Sequence, residues 1–202
     1  MDQVTLEGGF GLGGVEGDMA WASEVFLQLH WRWRNFPKPS IAAVQGRVFA
    51  GGMMIMWPTD LIVASKDALF ADPVTAFGIG AVELFMHPWE FGARRAKELL
   101  FTGDALSASE ATELGMVSQV VPRADLESAT LPLAERIATR PTAGLKMAKK
   151  AVNQTLEIQG HPAGGSALYV LAVQEHHLRY SSDGLLTCAY RTVSISDQIK
   201  VK

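Results

Sequence analysis

Ala50-Gly51-Gly52 opens the apolar run Met53-Met54-Ile55-Met56-Trp57, and Pro58 closes it. A helix that starts at two glycines presents backbone N–H groups with no intrahelical acceptor, at the positive end of its dipole. With no Cβ in the way, a ligand oxygen can come close. The pattern therefore suits stabilisation of an acyl carbonyl oxygen as it gains negative charge. It suits a purely structural turn equally well, and the G-x-G-x-x-G or GKS/T surroundings of a phosphate-binding loop are absent.

Other side chains with chemical capacity are scattered. His87 precedes Pro88-Trp89-Glu90, and its imidazole could pair with Glu83 or Glu90 or simply sit satisfied at a helix start. Asp72, before Pro73, reads as a turn residue, and Asp60 reads as the cap of a strand start. His176 and His177 are adjacent on an expected helix, so they point about 100° apart and cannot clasp one metal ion. Cys188 is the single cysteine and cannot form an internal disulfide, and no Cys/His cluster has zinc-ligand spacing, so no metal is expected. Met53, Met54, Met56 and Trp57 read as core or acyl-pocket lining rather than a redox device.

The elements that must position these residues follow from periodicity. Residues 41–44 (Ile-Ala-Ala-Val) and 61–64 (Leu-Ile-Val-Ala) are short continuous apolar runs, the pattern of strands buried on both faces. With the glycine-led helix between them they form a strand, turn, helix, strand unit, which predicts an α/β fold with parallel strands. A helix is expected over 18–35, capped by Asp18 and stopped before Pro37, with Trp31 and Trp33 packed in a core or a subunit contact and Arg32 and Arg34 over them. Further helices are expected over 94–101, 107–114, 125–139, 142–157 and 163–180, with a strand over 117–121. Ser107-Ala108-Ser109-Glu110 has capping-box spacing and Gly115 fits the stop. Residues 183–202 carry weak patterning and read as an arm or loose tail.

A chain of 202 residues, 48% hydrophobic and 19% charged, holds one substantial core and is neither disordered nor fibrous. Its formal net charge of -3 offers no attraction to a nucleic-acid backbone. The N-terminus has no basic-then-apolar leader, and the greasiest run, 48–57, is too short to span a bilayer. The expectation is a cytoplasmic protein without nucleic-acid or membrane partners.

Several ordered segments carry a family resemblance. Lys38-Pro39-Ser40-Ile41-Ala42-Ala43-Val44-Gln45-Gly46, then Ala50-Gly51-Gly52, then Asp60-Leu61-Ile62-Val63-Ala64-Ser65 resemble the enoyl-CoA hydratase/isomerase (crotonase) family. So do Leu69-Phe70-Ala71-Asp72-Pro73, Phe101-Thr102-Gly103-Asp104, Leu114-Gly115-Met116-Val117 and Lys149-Lys150-Ala151-Val152-Asn153, in the right order from residue 38 to 180. The resemblance implies a crotonase-like ββα spiral core with a helical C-terminal trimerisation region. It also implies acyl-CoA thioester substrates of fatty acid metabolism, an oxyanion hole of two backbone N–H groups, and no cofactor beyond the coenzyme A of the substrate. Gly51 corresponds to one of the two donors. On this reading residues 1–17 are a flexible segment, 18–124 a partial spiral core and 125–202 a helical oligomerisation region. Ala50, Gly52, Met54, Pro73, Val74 and Val82 are expected to line the substrate site. Lys149 and Lys150 form either a solvated face or a contact for the phosphates of CoA.

The departures from the family pattern shape the functional expectation. The family's earlier strands and its F-x-A-G-x-D loop, source of the other oxyanion donor, have no counterpart unless the glycine-rich residues 8–17 replace them, so a shortened chain is expected. The two hydratase glutamates fall at Met54 and Val74, neither of which can move a proton. Glu83, nine residues beyond Val74, occupies a region where related isomerases place an acid, and it is the candidate for proton transfer. The expected activity is that of a lyase or isomerase of this family working through a thioester enolate. The alternatives are a catalytically weak acyl-CoA-binding or assembly subunit, or an inactive fragment. Uncovered sheet edges would favour self-association as a homotrimer or hexamer.

Overall fold

The computed structural model describes residues 20–21, 23–78, 80–160 and 190–194, the last of these by backbone alone. Its centre is a strand whose two faces feed two different cores. In β1 (Ser40–Val44) every residue is buried. Ala42 and Val44 pack with Met53, Met56, Phe70 and Leu106, while Ile41 and Ala43 pack with Val63, Val121, Leu126 and Ala134. Side chains alternate across a strand, so burial on both faces demands the unbroken apolar run seen in the sequence. β3 (Leu61–Ser65) divides in the same way, with Ile62 and Ala64 on one side and Val63 on the other.

The chain winds between two sheets. With β6 (Gln119–Val121) and β7 (Tyr190–Ser194), β1 and β3 form a four-stranded sheet of order β6-β3-β1-β7, and β2 (Arg47–Phe49), β4 (Leu69–Ala71) and β5 (Leu106–Ser107) form a three-stranded sheet of order β2-β4-β5. After β2 comes helix Gly51–Met56, then β3 in the first sheet and β4 (Leu69–Ala71) in the second. A long helix, His87–Thr102, leads to β5 (Leu106–Ser107), and helix Ala108–Glu113 leads to β6 (Gln119–Val121). β1, β3 and β6 are parallel, as are β2 and β4, whereas β5 runs antiparallel to β4. Each turn of this spiral thus places a strand in each sheet and a helix behind them.

Most expected elements are present, with four differences. The N-terminal helix is divided into a π-helical turn, Ser23–Gln28, and an α-helical turn, Leu29–Arg34, and Asp18 lies outside the described residues. The short strands β2, β4 and β5 were not expected: two or three residues of alternation leave little periodicity, and their pairing across the second sheet makes them strands. Helix His87–Thr102 starts seven residues before the expected 94, with Pro88 in its first turn and Gly92 (φ 73°, ψ 156°) interrupting it. Regular periodicity begins only after that interruption. The tail read as loose contains β7 (Tyr190–Ser194), antiparallel to β1 with Ser40 opposite Ser194 and Val44 opposite Tyr190. That pairing joins distant segments, so no local pattern announces it.

Arg34 lies over Trp31 as expected, and the fold adds a role to it. It is buried, its Nη1 donates to Asn153 Oδ1 at 2.6 Å, and its guanidinium carbon lies 5.7 Å from the Trp31 ring centre. Asn153 belongs to helix Thr142–Ile158, so the arginine clamps two helices together. Helix Leu126–Ala138 covers the outer face of β1 and β3 through Leu126 and Ala134. The expected segment 1–17, the expected helix 163–180, His176, His177 and Cys188 lie outside the described residues. Among the described residues, no helix is long and apolar enough to cross a membrane.

Candidate active site

The junction between β2 and helix Gly51–Met56 is built around an unusual backbone. Ala50 has φ 45° and ψ -109°, a conformation that a Cβ disfavours. Its N–H donates to Ala71 O at 2.9 Å, which holds the turn to the end of β4. Its carbonyl accepts from Met53 N at 2.9 Å and Met54 N at 3.3 Å. The N–H groups of Gly51 and Gly52 are left with no hydrogen-bond acceptor among the described residues. A Cβ built on Gly51 would meet nothing within 4 Å, so the space beside this residue is open.

Several residues expected to line the site converge behind this turn. Met54 and Val82 are buried in one apolar cluster, with Ala50 and Val74 packed against it, and Gly52 is buried as well. Pro73 and Val74 begin a 3-10 turn, Pro73–Phe77, that Gly78 ends in the left-handed region. Thr75 Oγ1 donates to Leu100 O at 2.7 Å and ties this turn to the long helix. Met54 and Val74 present hydrocarbon and thioether only, so this part of the wall supplies packing and no proton transfer.

Glu83 is half-buried on the segment next to Val82. Burial pushes its carboxyl above the usual range, and the negative charge of Asp72 adds to that rise. Asp72 is itself fully buried, with Oδ2 accepting from Val82 N at 3.1 Å and lying 3.0 Å from His87 Nε2. Of the alternatives for His87, its place at a helix start is the one observed, but its ring nitrogens are not satisfied there, and its ionisable neighbour is neither Glu83 nor Glu90 but Asp72. The two are close in distance but not aligned as a hydrogen bond. His87 also sits among the rings of Trp57, Phe85 and Phe91, at centroid distances of 4.9, 4.9 and 6.1 Å.

Two further residues take roles that the sequence did not disclose. Glu90, considered only as a partner for His87, is pushed up to about 7 by burial, with the Arg34 guanidinium pulling the other way. It stands half-buried in the first turn of a helix that starts earlier than expected. Lys149 Nζ is bonded to Asp60 Oδ2 at 2.8 Å and to Lys38 O at 3.1 Å, so it is committed within the fold, whereas Lys150 is exposed. Asp60 Oδ2 in turn accepts from Ser40 N at 2.7 Å and caps the start of β1, not the start of its own strand. Asp72, read as a turn residue, does stand ahead of the 3-10 turn Pro73–Phe77, but its carboxylate is fully buried, which the sequence reading did not anticipate.

Comparison with known proteins places this arrangement. The family model described as Enoyl-CoA hydratase/isomerase matches residues 11–174. The chain belongs to the enoyl-CoA hydratase/isomerase family. It is 43% identical over 176 residues to a Mycobacterium tuberculosis protein designated enoyl-CoA hydratase EchA13, covering 87% of this chain and 54% of that one. It is 35% identical over 139 residues to the mitochondrial enoyl-CoA hydratase of Pongo abelii, covering 67% of this chain and 48% of that one. A crystal structure from Mycobacterium thermoresistibile, described as an enoyl-CoA hydratase, superposes with a TM-score of 0.77 at 49% identity, over 80% of this chain and 68% of the other. The spiral is therefore the crotonase-like fold. The chain spans about half the length of the curated relatives it matches.

Proposed function

We propose that the chain acts on acyl-CoA thioesters by stabilising a thioester enolate, with Gly51 as an oxyanion donor and Glu83 as the proton-transfer group. The single observation that carries this reading is the pair of N–H groups at Gly51 and Gly52 that find no acceptor among the described residues, beside an open space at Gly51 and ahead of a buried apolar cluster. The ionised Glu83 takes the proton from the α-carbon. The C–H electron pair becomes the C=C bond of the enolate, and the carbonyl π electrons move onto oxygen, where the donor N–H groups meet the new charge. Return of the proton to the α-carbon or to a conjugated carbon completes an exchange or an isomerisation. Family membership supports the substrate class. Met54 and Val74 in place of the hydratase glutamates favour this chemistry over addition of water.

The same two residues also support a second reading, that of an acyl-CoA-binding subunit with little turnover. One experiment separates the two: deuterium uptake at the α-carbon of a saturated acyl-CoA in D2O, followed by mass spectrometry beside a calorimetric binding titration. Enolate chemistry predicts measurable uptake that Glu83→Gln lowers by ~10²-fold or more. Uptake unchanged by Glu83→Gln removes Glu83 from the mechanism, and binding without uptake selects the second reading.

A further inference from the structure

We infer that Asp72 and His87 form a buried positioning pair that fixes the place and the charge environment of Glu83, an inference that rests on Glu83 as the proton-transfer group. Asp72 touches both ends of the segment that carries Glu83. Its Oδ2 accepts from Val82 N at 3.1 Å, one residue before Glu83, and lies 3.0 Å from Nε2 of His87, four residues after it. Both members are fully buried, at 1% and 0% side-chain exposure. His87 cannot swing away, because Trp57, Phe85 and Phe91 surround its ring and it stands at the start of a sixteen-residue helix. Asp72 is held just as firmly: the end of β4 precedes it and Pro73 fixes the backbone after it.

The buried placement is costly unless something uses it. Burying a carboxylate and an imidazole is unfavourable compared with apolar residues of similar size, and Asp72 Oδ1 and both ring nitrogens of His87 have no hydrogen-bond partner among the described residues, the Nε2–Oδ2 contact being close but not aligned as one. The charged group that acts on Glu83 from another element is this same Asp72, whose carboxylate disfavours a second negative charge nearby. Asp72 therefore sets the backbone that aims Glu83 and strengthens its hold on a proton, while His87 closes the far end of the segment. Neither residue is assigned contact with substrate.

The test separates positioning from plain structural support. In protein labelled with carboxyl-13C glutamate, the Glu83 resonance is assigned by its loss in Glu83→Gln and titrated with and without Asp72→Asn. The asparagine keeps an oxygen for Val82 N–H but removes the charge, so the Glu83 midpoint moves to lower pH. In the α-deuterium assay kcat falls about tenfold or more with KM unchanged, as expected when a proton-transfer group is misplaced by a fraction of an ångström. An unmoved Glu83 midpoint overturns the inference, as does a loss confined to thermal stability. A moved midpoint combined with deuterium uptake that Glu83→Gln leaves intact upholds the pair and removes the catalytic reading instead. In the unaltered protein, the Val82 amide should exchange with deuterium as slowly as the amides of β1. Exchange at the rate of an exposed loop would overturn the clamp without reliance on any variant.

Discussion

Glu90→Gln should stabilise the protein at alkaline pH and leave it unchanged in acid. Burial lifts the Glu90 carboxyl from 4.5 to about 7. A carboxyl with a raised folded value takes up a proton on folding at intermediate pH. Its contribution is therefore fully present below about pH 4.5 and is lost as pH rises through about 7. At ~1.4 kcal/mol per tenfold change in proton affinity, the ionised form costs roughly 3 kcal/mol. Arg34 offsets part of the burial penalty already, since its attraction is included in that value. Glutamine mimics the neutral acid and escapes the cost, so at pH 8.5 the variant should melt about 6–12 °C above the parent chain, at ~2–4 °C per kcal/mol. Paired thermal scans at pH 4.5 and 8.5 measure this directly, and every other titrating group cancels between the two proteins. Equal melting temperatures at pH 8.5, or the same gap at both pH values, would refute the burial argument.

Two further outcomes concern the scaffold. Phe70→Ala, in the centre of β4 with no exposed surface, should cost about 3–5 kcal/mol in denaturant unfolding, because both transfer energy and the residual cavity count; a loss under 1 kcal/mol would contradict the packing. Ser107→Ala removes the Oγ that accepts from Glu110 N at 3.2 Å and donates to Glu110 Oε2 at 2.7 Å, while the backbone N–H of residue 107 goes on donating to that carboxylate. It should cost about 1 kcal/mol and raise the Glu110 carboxyl only part of the way back to its ordinary value, because the backbone bond from residue 107, the larger of the two that hold it down, survives the substitution.

Local chemistry wrote much of this protein into its sequence. β1 and β3 were legible because strands buried on both faces need unbroken apolar runs, and the helix at Gly51 because two glycines and a later proline bound six residues. The helix at Ala108 was legible because a serine-to-glutamate capping box is a contact between near neighbours. The ordered motifs named the family, and it was that resemblance that led to the expectation of its two hydratase glutamates at the positions of Met54 and Val74. Tertiary structure decided what depends on distant partners. β7 exists by pairing with β1, and Lys149 is withdrawn from solvent by Asp60. His87 faces Asp72 instead of its neighbours in sequence, and Glu90 holds its proton to about pH 7 because the fold buries it beside Arg34. The physical reason is common to all four. Periodicity and capping arise from interactions within a few residues, whereas pairing partners and proton affinity are set by whatever the folded chain brings into contact.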